Sequence, residues 1–564
     1  MGVKVSVVVP VHDAGEYIGA CIESLLGQSL PPEEYEVVFV DDGSTDDSLS
    51  VITEVARRHA HVRVIAMENS GWPGKPRNVG TDAAVGEFVQ YVDQDDYLGP
   101  EALERMYDLG RAAGADVVVG KMVGVGRWTP SSLFQRNRDD ATLFDSDLVT
   151  SLTPHKMFRR AFLSEREIRF PEGRRRLEDF LFVMRCYVAA SAVAVLADYP
   201  CYFYTRRDDG QNTSFQPTDP ASYLRNLGEV LAVVDEHVEA GPRRDALLER
   251  FYRSEVLGRL SEPHVLDVPD DVLAGIVEVS RTAADDLFSE STRRSLAPVV
   301  RARAELLHAG RTTAIAALAR RAGLVKARAV ANGARWRGEH LVADVTAGLV
   351  RSGEPWFVVV EDDEFRLERE FTADLGPADP VVLGRTTAEV LSGVRIQVTV
   401  RDRTTCVDWP VDHDLRPSLE AVAGDGSGRR RLRFTGRLWF APLTMAGGRP
   451  LERGSWDVSV RITAWGLTRT ARMAVGPGMR PAQLPRRLRD GRLTVVPYPT
   501  DHGNLTLDVG ERLKKWTPPE PRGPGDRLRH QLRRRAPGTV RSLVRFVRSG
   551  RRRRDAPLRR SLGR

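Results

Sequence analysis

The chain has 564 residues, enough for two to four domains rather than one. Hydrophobic residues make up 41% and charged residues 28%, the profile of a globular protein and not of a disordered one. The net charge of +6 is unevenly held: residues 511 to 564 carry 19 Lys/Arg against 4 Asp/Glu, a net of +15 that leaves −9 on the rest of the chain.

The longest apolar runs, such as Val193 to Ala197 and Phe357 to Val360, fall well short of the roughly 20 residues that cross a bilayer. Met1-Gly-Val-Lys passes directly into a strand-like Val5-Ser-Val-Val-Val-Pro10 without the apolar stretch of a signal peptide, so the expected address is cytoplasmic. Cys21, Cys186, Cys201 and Cys406 are scattered without a Cys-x-x-Cys spacing, which argues for free and mostly buried thiols over a disulfide framework or a zinc site.

In chain order, the first hundred residues repeat one theme, a short apolar run that ends in polar residues and leads into a helix-like stretch. The runs are Val5 to Val11, Val37 to Val40, Val62 to Met67 and Phe88 to Val92. This alternation predicts a parallel sheet with helices on its faces. Tyr17, Ile18, Cys21, Ile22, Leu25 and Leu26 recur at helical spacing and supply one face to cover it. From about 216 to 334 Leu, Ala, Val, Arg and Glu recur at helical spacing, and a helical linker domain is expected. Residues 335 to 510 turn β-like, with alternating strands such as Val394 to Val400 and Trp456 to Ile462 between Gly, Pro and Asp turns. Trp336 and Trp356, then Trp439 and Trp456, suggest two β-sandwich modules, 335–425 and 426–510. The basic tail, 511–564, follows.

Ligands of open parallel sheets bind beyond the carboxyl ends of the strands, so the polar residues after each run are the ones to examine. They are acidic. Asp41-Asp42-Gly43-Ser44 follows the second run, where carboxylates accept hydrogen bonds from a base N–H or a ribose hydroxyl, or where Ser44 and Asp46 simply cap the next helix. Asp93-Gln94-Asp95-Asp96 follows the fourth run. Its carboxylates at i and i+2 reach one side and offer the oxygen donors that a hard divalent cation prefers. Glu178-Asp179 precedes the apolar stretch Phe180 to Met184, and a carboxylate against an apolar wall has its pKa raised toward that of a general base. Between these lies Glu68 to Asn78, read as a loop whose Lys75 and Arg77 face phosphate.

Together these residues resemble the family 2 glycosyltransferases of GT-A fold. The order matches: Val8 to Pro10, Asp41 to Ser44, Asn69/Gly71/Arg77/Asn78, Asp93/Asp95/Asp96 and Glu178/Asp179. The resemblance covers about residues 3 to 215, so the expected domain runs from 1 to 215. It implies an α/β GT-A (Rossmann-like) catalytic domain and inverting transfer from a UDP-sugar. Asp95, with Asp93 or Asp96 assisting, would hold Mn²⁺ or Mg²⁺ against the diphosphate, and Asp41 and Asp42 would engage uracil. Pro10, Asn69, Arg77, Asp93 and Gln94 would complete the nucleotide site, Arg206 or Arg207 would meet phosphate, and Asp179 would be the base.

The linker, the β-rich C-terminal region and Tyr204-Thr-Arg-Arg-Asp-Asp-Gly-Gln are similar to the wall teichoic acid glycosyltransferases that add N-acetylglucosamine to poly(ribitol phosphate). That resemblance implies a polyol-phosphate or other envelope glycopolymer acceptor, and C-terminal immunoglobulin-like modules that assemble a homotrimer. In the tail, Val540, Leu543, Val544 and Val547 form an apolar helical stripe flanked by arginines, which predicts peripheral binding at the inner membrane surface. A non-catalytic scaffold that binds polyanions or nucleic acid through the tail is the alternative, and it leaves the acidic sites of the N-terminal domain unexplained.

Overall fold

The computed structural model describes residues 2–210, 212, 218–373, 375, 381–422, 428–480, 484–488 and 493–510. Its N-terminal domain is built on strands β1 (Val5–Val11), β2 (Tyr35–Asp42), β3 (Val62–Met67), β4 (Phe88–Tyr91), β5 (Tyr97–Leu98), β6 (Val117–Val125), β7 (Met157–Arg159) and β8 (Val193–Thr205). They form one sheet in the order β3-β2-β1-β4-β7-β6-β8-β5. The first four are parallel to one another, and β7 runs against its neighbours β4 and β6. β1 and β2 are buried along their whole length, as Val-rich runs covered on both faces should be. Helices α1 (Ile18–Leu26), α2 (Ser48–Arg58), α3 (Gly74–Ala83), α4 (Ala102–Ala113), α5 (Arg160–Glu165) and α6 (Glu178–Ala189) flank the sheet.

Register decides where the acids emerge. Val11 of β1 lies opposite Asp41 of β2, and Val8 of β1 opposite Tyr91 of β4, so Asp41, Asp42 and the Asp93 to Asp96 turn leave the sheet at one edge. The turn after β2 needs Gly43, which sits at φ +66° with the backbone N of Asn69 only 2.7 Å from where a Cβ would be.

The linker consists of α7 (Pro220–His237), α8 (Pro242–Phe251), α9 (Asp270–Leu287), α10 (Glu290–Ser295), α11 (Pro298–His308) and α12 (Thr312–Leu324). Asp219 caps α7 by accepting from the Ser222 N–H at 3.0 Å, with Pro220 in the first turn. The helical pattern ends ten residues earlier than expected from sequence, because the alternating Val325 to Ala334 is already strand Val325–Arg337.

The division of the C-terminal region near residue 425 is corrected by the strand pairing. Strand Arg429–Phe440 pairs with His340–Arg351, and Arg395–Asp402 pairs with Gly454–Ala464, so each sheet draws on both supposed halves. Strand Leu467–Val475 joins the two sheets by pairing with Val325–Arg337 and with Gly454–Ala464. The core is shared as well. Trp356 packs edge-on against Trp465 at 5.4 Å and against Phe371 at 5.1 Å.

This region also docks directly on the N-terminal domain. Buried Lys121 of β6 donates to the Asp408 carbonyl at 2.7 Å and sits 3.5 Å from the centre of the Trp409 ring, while Arg401 donates to the Gly124 carbonyl at 2.6 Å. Cys21, Cys186 and Cys201 are buried free thiols and Cys406 is half-buried. Among the described residues no helix is long and apolar enough to cross a membrane. The basic tail lies outside the described residues.

Candidate active site

At the edge where the acids emerge lies a cavity of about 1330 Å³, lined by Pro10, Asp42, Arg77, Asp93, Gln94, Asp95, Glu178, Asp179 and Arg207 among others. It continues into the linker, where Tyr223, Arg259 and His264 line it. Most of the residues picked out in the sequence therefore meet in one place, although they perform different tasks there.

Asp93 is a partly buried member of the acidic turn at the cavity wall. Its Oδ1 accepts from Arg77 Nη2 at 2.8 Å and its Oδ2 lies 2.9 Å from His155 Nε2, so both oxygens are engaged by protein. Burial alone would raise its pKa, but the guanidinium and the imidazole outweigh it and hold the carboxyl well below the usual range. Asp96 is the buried member, accepting from the Tyr202 hydroxyl at 2.7 Å and the Thr205 N–H at 2.6 Å, and burial with the Asp95 and Asp93 charges still pushes its carboxyl well above the usual range. Asp93, Asp96 and His155 bring ligand atoms within 4.8 Å of one another, yet those atoms brace the acidic turn. The expectation that Asp93 shares a cation with Asp95 thus meets a carboxylate already held on both oxygens.

Asp95 differs. It faces the cavity, one oxygen accepts from Asn212 Nδ2 at 2.7 Å, and burial together with the nearby Asp93 charge pushes its carboxyl up to about 6. A partly buried carboxylate at a cavity wall, whose burial and Asp93 neighbour outweigh the nearby Arg207 and Arg127, fits a hard divalent cation.

The other acidic pair starts α6. Leu177 precedes it at φ +61°, a left-handed conformation that is strained for leucine and turns Glu178 and Asp179 toward the cavity. Glu178 lies 3.5 Å from Arg77 Nη1, so one buried guanidinium, 3% exposed, stands between two acidic motifs. The Asp179 carboxyl is pushed up to about 8, by burial first and by the Glu178 charge next, with Arg77 opposing. It is mostly protonated near neutral pH, and its ionised fraction is a stronger base than an ordinary aspartate.

Several expected ligands are also engaged by the protein itself. Asp42 lines the cavity, but its oxygens accept from the Ser70 N–H at 2.7 Å and the Ser70 hydroxyl at 2.9 Å, fixing the loop from Glu68 to Pro73. Asp41 is buried behind it and accepts from the Ser44 N–H at 3.2 Å. Asn69 closes its own turn by accepting from the Gly71 N–H at 2.7 Å, and its Nδ2 is 3.2 Å from the His12 ring nitrogens. Gln94 exchanges two hydrogen bonds with the His12 backbone, at 2.8 and 2.9 Å. Arg207 lines the cavity, stacks on Tyr17 at 4.2 Å and pairs with Asp209 at 2.6 Å, whereas Arg206 is outside the lining. Lys75 is exposed and also outside it. The supposed loop from Gly74 onward is the first turns of α3, since a proline near a helix start costs no hydrogen bond.

Residues 6–165 match the model of glycosyl transferase family 2, and residues 220–319 match that of the glycosyl transferase TarS linker domain. The chain carries a family 2 glycosyltransferase domain followed by a TarS-type linker. It is 37% identical over 233 residues to the poly(ribitol-phosphate) beta-glucosyltransferase of Bacillus spizizenii, covering 41% of this chain and 37% of that protein. It is 36% identical over 263 residues to the poly(ribitol-phosphate) beta-N-acetylglucosaminyltransferase TarS of Staphylococcus aureus, covering 46% of this chain and 44% of that one. The chain thus aligns with less than half the length of either relative. The crystal structure of S. aureus TarS 1-349 in complex with UDP-GlcNAc superposes with a TM-score of 0.54 at 26% identity, over 68% of this chain and 100% of that one. A crystal structure of S. aureus TarS shares the fold over 90% of this chain and 85% of that chain, with a TM-score of 0.51 at 21% identity.

Within the glycosyltransferase domain, sequence reasoning missed four residues. His155 stacks on Tyr202 at 4.3 Å and holds Asp93, Asn212 holds Asp95, His12 ties Gln94 to Asn69, and Arg127 lies 3.3 Å over the Tyr204 ring at the cavity wall. None of them sits in a spacing pattern. The one signal was position, since Asn212 follows the Arg206-Arg207-Asp-Asp-Gly-Gln segment beyond β8.

Proposed function

We propose that the chain transfers a sugar, N-acetylglucosamine in the first instance, from a UDP-sugar to a hydroxyl of poly(ribitol phosphate), with inversion at the anomeric carbon. The observation that carries this reading is the single cavity in which Asp95, the proton-accepting Asp179 and the linker meet. Support comes from the relatives, one described as a glucosyltransferase and one as an N-acetylglucosaminyltransferase, both acting on poly(ribitol phosphate).

In this mechanism Asp95 is the residue that would hold Mn²⁺ or Mg²⁺, with Asp93 behind it keeping the turn in place. When bound, such a cation neutralises charge that develops on a leaving diphosphate. Asp179 accepts the proton of the attacking acceptor hydroxyl, and Arg77 limits the mutual repulsion of Asp93, Glu178 and Asp179. Pro10, Asp42 and the loop it anchors form the nucleotide side of the cavity. Arg207 faces phosphate. The polymer reaches Asp179 from the linker side, where Arg174, Arg176 and Arg259 supply positive charge.

The C-terminal β-rich region serves acceptor positioning and assembly, with a homotrimer as the expected state. The 511–564 tail holds the enzyme at the inner face of the membrane, where a lipid-linked polymer grows. The test is incubation of the purified protein with UDP-GlcNAc, UDP-glucose or UDP-galactose, Mn²⁺ or Mg²⁺ and poly(ribitol phosphate). Sugar incorporation that is lost in EDTA supports the reading, and no transfer from any of the donors would remove it.

A further inference from the structure

The far wall of the cavity belongs to the linker. Gly258 and Arg259, in the short 3-10 helix Leu257–Leu260, and Ser261 and His264, in the turn after it, all line it. Glu262 in the middle of this turn is not among the lining residues. Its carboxylate accepts from Arg469 Nη2 at 2.6 Å, and its other oxygen lies 3.7 Å from Nη2 of Arg303 on α11. Arg469 comes from strand Leu467–Val475 of the β-rich region. The same guanidinium donates to the Ala322 carbonyl at 2.7 Å and to the Val325 carbonyl at 2.8 Å. One side chain of the β-rich region therefore grips the C-terminal end of α12, the start of the following strand and the turn that walls the cavity.

The three charged side chains are sheltered, at 17% exposure for Arg469, 16% for Glu262 and 6% for Arg303. Their attraction is less screened than that of a surface pair, and the planar fork of arginine fixes direction as well as distance. The part of this segment beyond the 3-10 helix is a connecting turn, mobile by default, and here it is clamped from two sides. The clamp acts at the acceptor end of the site. The donor end, with Asp95, Asp42 and Asp179, is built by the glycosyltransferase domain, whereas the linker side presents Arg259 and His264 to whatever enters next.

We propose that Arg469 is a positioning residue for the acceptor: through Glu262 it holds the 258–264 turn in the form that seats a phosphate-bearing polymer, so the β-rich region shares in acceptor binding within its own chain. This rests on the glycosyl-transfer reading of the cavity.

The experiment uses the full chain, with Arg469→Met, Glu262→Gln and the double variant. It measures UDP release without acceptor, transfer to synthetic poly(ribitol phosphate), and hydrogen exchange in the 258–264 turn. The single variants are expected to raise the acceptor KM about tenfold and to speed exchange in the turn, with donor KM and acceptor-saturated kcat within about twofold of wild type. The double variant should be no worse than the more affected single one, since both changes break one contact. Arg449→Met, which removes a different interdomain contact, 3.6 Å from Glu101, should leave the acceptor KM unchanged. If Arg469→Met does not fold, Glu262→Gln, which keeps the shape of the side chain, carries the test. An unchanged acceptor KM, unchanged exchange in the turn, or an equal rise in donor KM overturns the proposal. A wild-type protein that accelerates exchange on Arg469→Met but releases no UDP from any UDP-sugar keeps the clamp and removes the transfer reading beneath it.

Discussion

Asp179 gives the sharpest test, because its environment sets a pH dependence that an ordinary aspartate would not have. Its carboxyl is pushed up to about 8, chiefly by burial and then by the charge of Glu178. A base must be ionised to act. At a pKa of about 8, about one molecule in a hundred is ready at pH 6, about one in eleven at pH 7 and about half at pH 8. The expected kcat/KM therefore climbs about tenfold between pH 6 and 7 and about fivefold between 7 and 8, measured at saturating Mn²⁺ so that Asp95 stays ionised throughout. Glu178→Gln removes the second cause while leaving the burial, so the rising limb should move to lower pH and still lie above 4. Asp179→Asn should lower turnover by about a hundredfold or more with UDP-sugar affinity little changed. A kcat/KM that is flat from pH 6 to 8, or a limb that Glu178→Gln leaves in place, would refute the electrostatic argument. An active Asp179→Asn would remove the residue from the mechanism altogether.

Three further outcomes are expected. Arg77→Met should destabilise the N-terminal domain by about 3–5 kcal/mol near neutral pH, as breaking a buried pair does. Because Arg77 and His155 hold the Asp93 pKa down, that contribution is present above the unfolded-state pKa of about 4 and is lost as pH falls further. Calorimetric melts should then show the gap between wild type and variant closing in acid. Asp95→Asn should abolish the Mn²⁺-dependent part of UDP binding, read by titration calorimetry. In the wild type that affinity should weaken by up to about tenfold per unit below about pH 6, where the proton competes for the carboxylate. Deleting residues 517–564 should abolish sedimentation with anionic vesicles at about 0.1 M salt while transfer to a soluble acceptor persists. A full-length protein that ignores such vesicles would assign the tail to the acceptor instead.

What was legible in the sequence was whatever local pattern encodes. Val-rich runs fixed the strands of the first sheet, and the acids directly after them marked its ligand edge. Pattern says less about partners that lie far apart in the chain. His155 reaches Asp93 across 62 residues and Asn212 reaches Asp95 across 117, contacts that only the folded sheet creates. The C-terminal division failed for the same reason. Alternation identifies Arg429–Phe440 as a strand but carries no information about its pairing with His340–Arg351, and of the tryptophans thought to mark two halves Trp356 and Trp456 lie in one shared core, Trp336 packs at its edge and Trp439 lies outside it. The 74–78 segment was read as loop on its Gly and Pro content, which are also the residues a helix tolerates in its first turn.

The site itself shows how burial sorts identical residue types into different tasks. Asp41, Asp42, Asp93, Asp95, Asp96 and Asp179 all precede or follow core strands and helices, and a low-dielectric interior cannot keep that many neighbouring carboxylates charged without compensation. Compensation is given unequally. Asp93 receives a guanidinium and an imidazole and stays ionised, Asp42 receives the N–H and hydroxyl of Ser70, and Asp96 receives Tyr202 and a backbone N–H. Even so, burial and the charges of Asp95 and Asp93 push Asp96 well above the usual range, while Asp95 and Asp179, which face the cavity, are pushed up to about 6 and about 8. Of the carboxylates with raised pKa, Asp96 is outside the cavity lining, so the deficit that faces the cavity lies at two points, one that a divalent cation relieves and one that a proton relieves. A transfer that must neutralise a departing diphosphate and deprotonate an incoming hydroxyl needs those two points in the same cavity. The scaffold carboxylates are what make them differ.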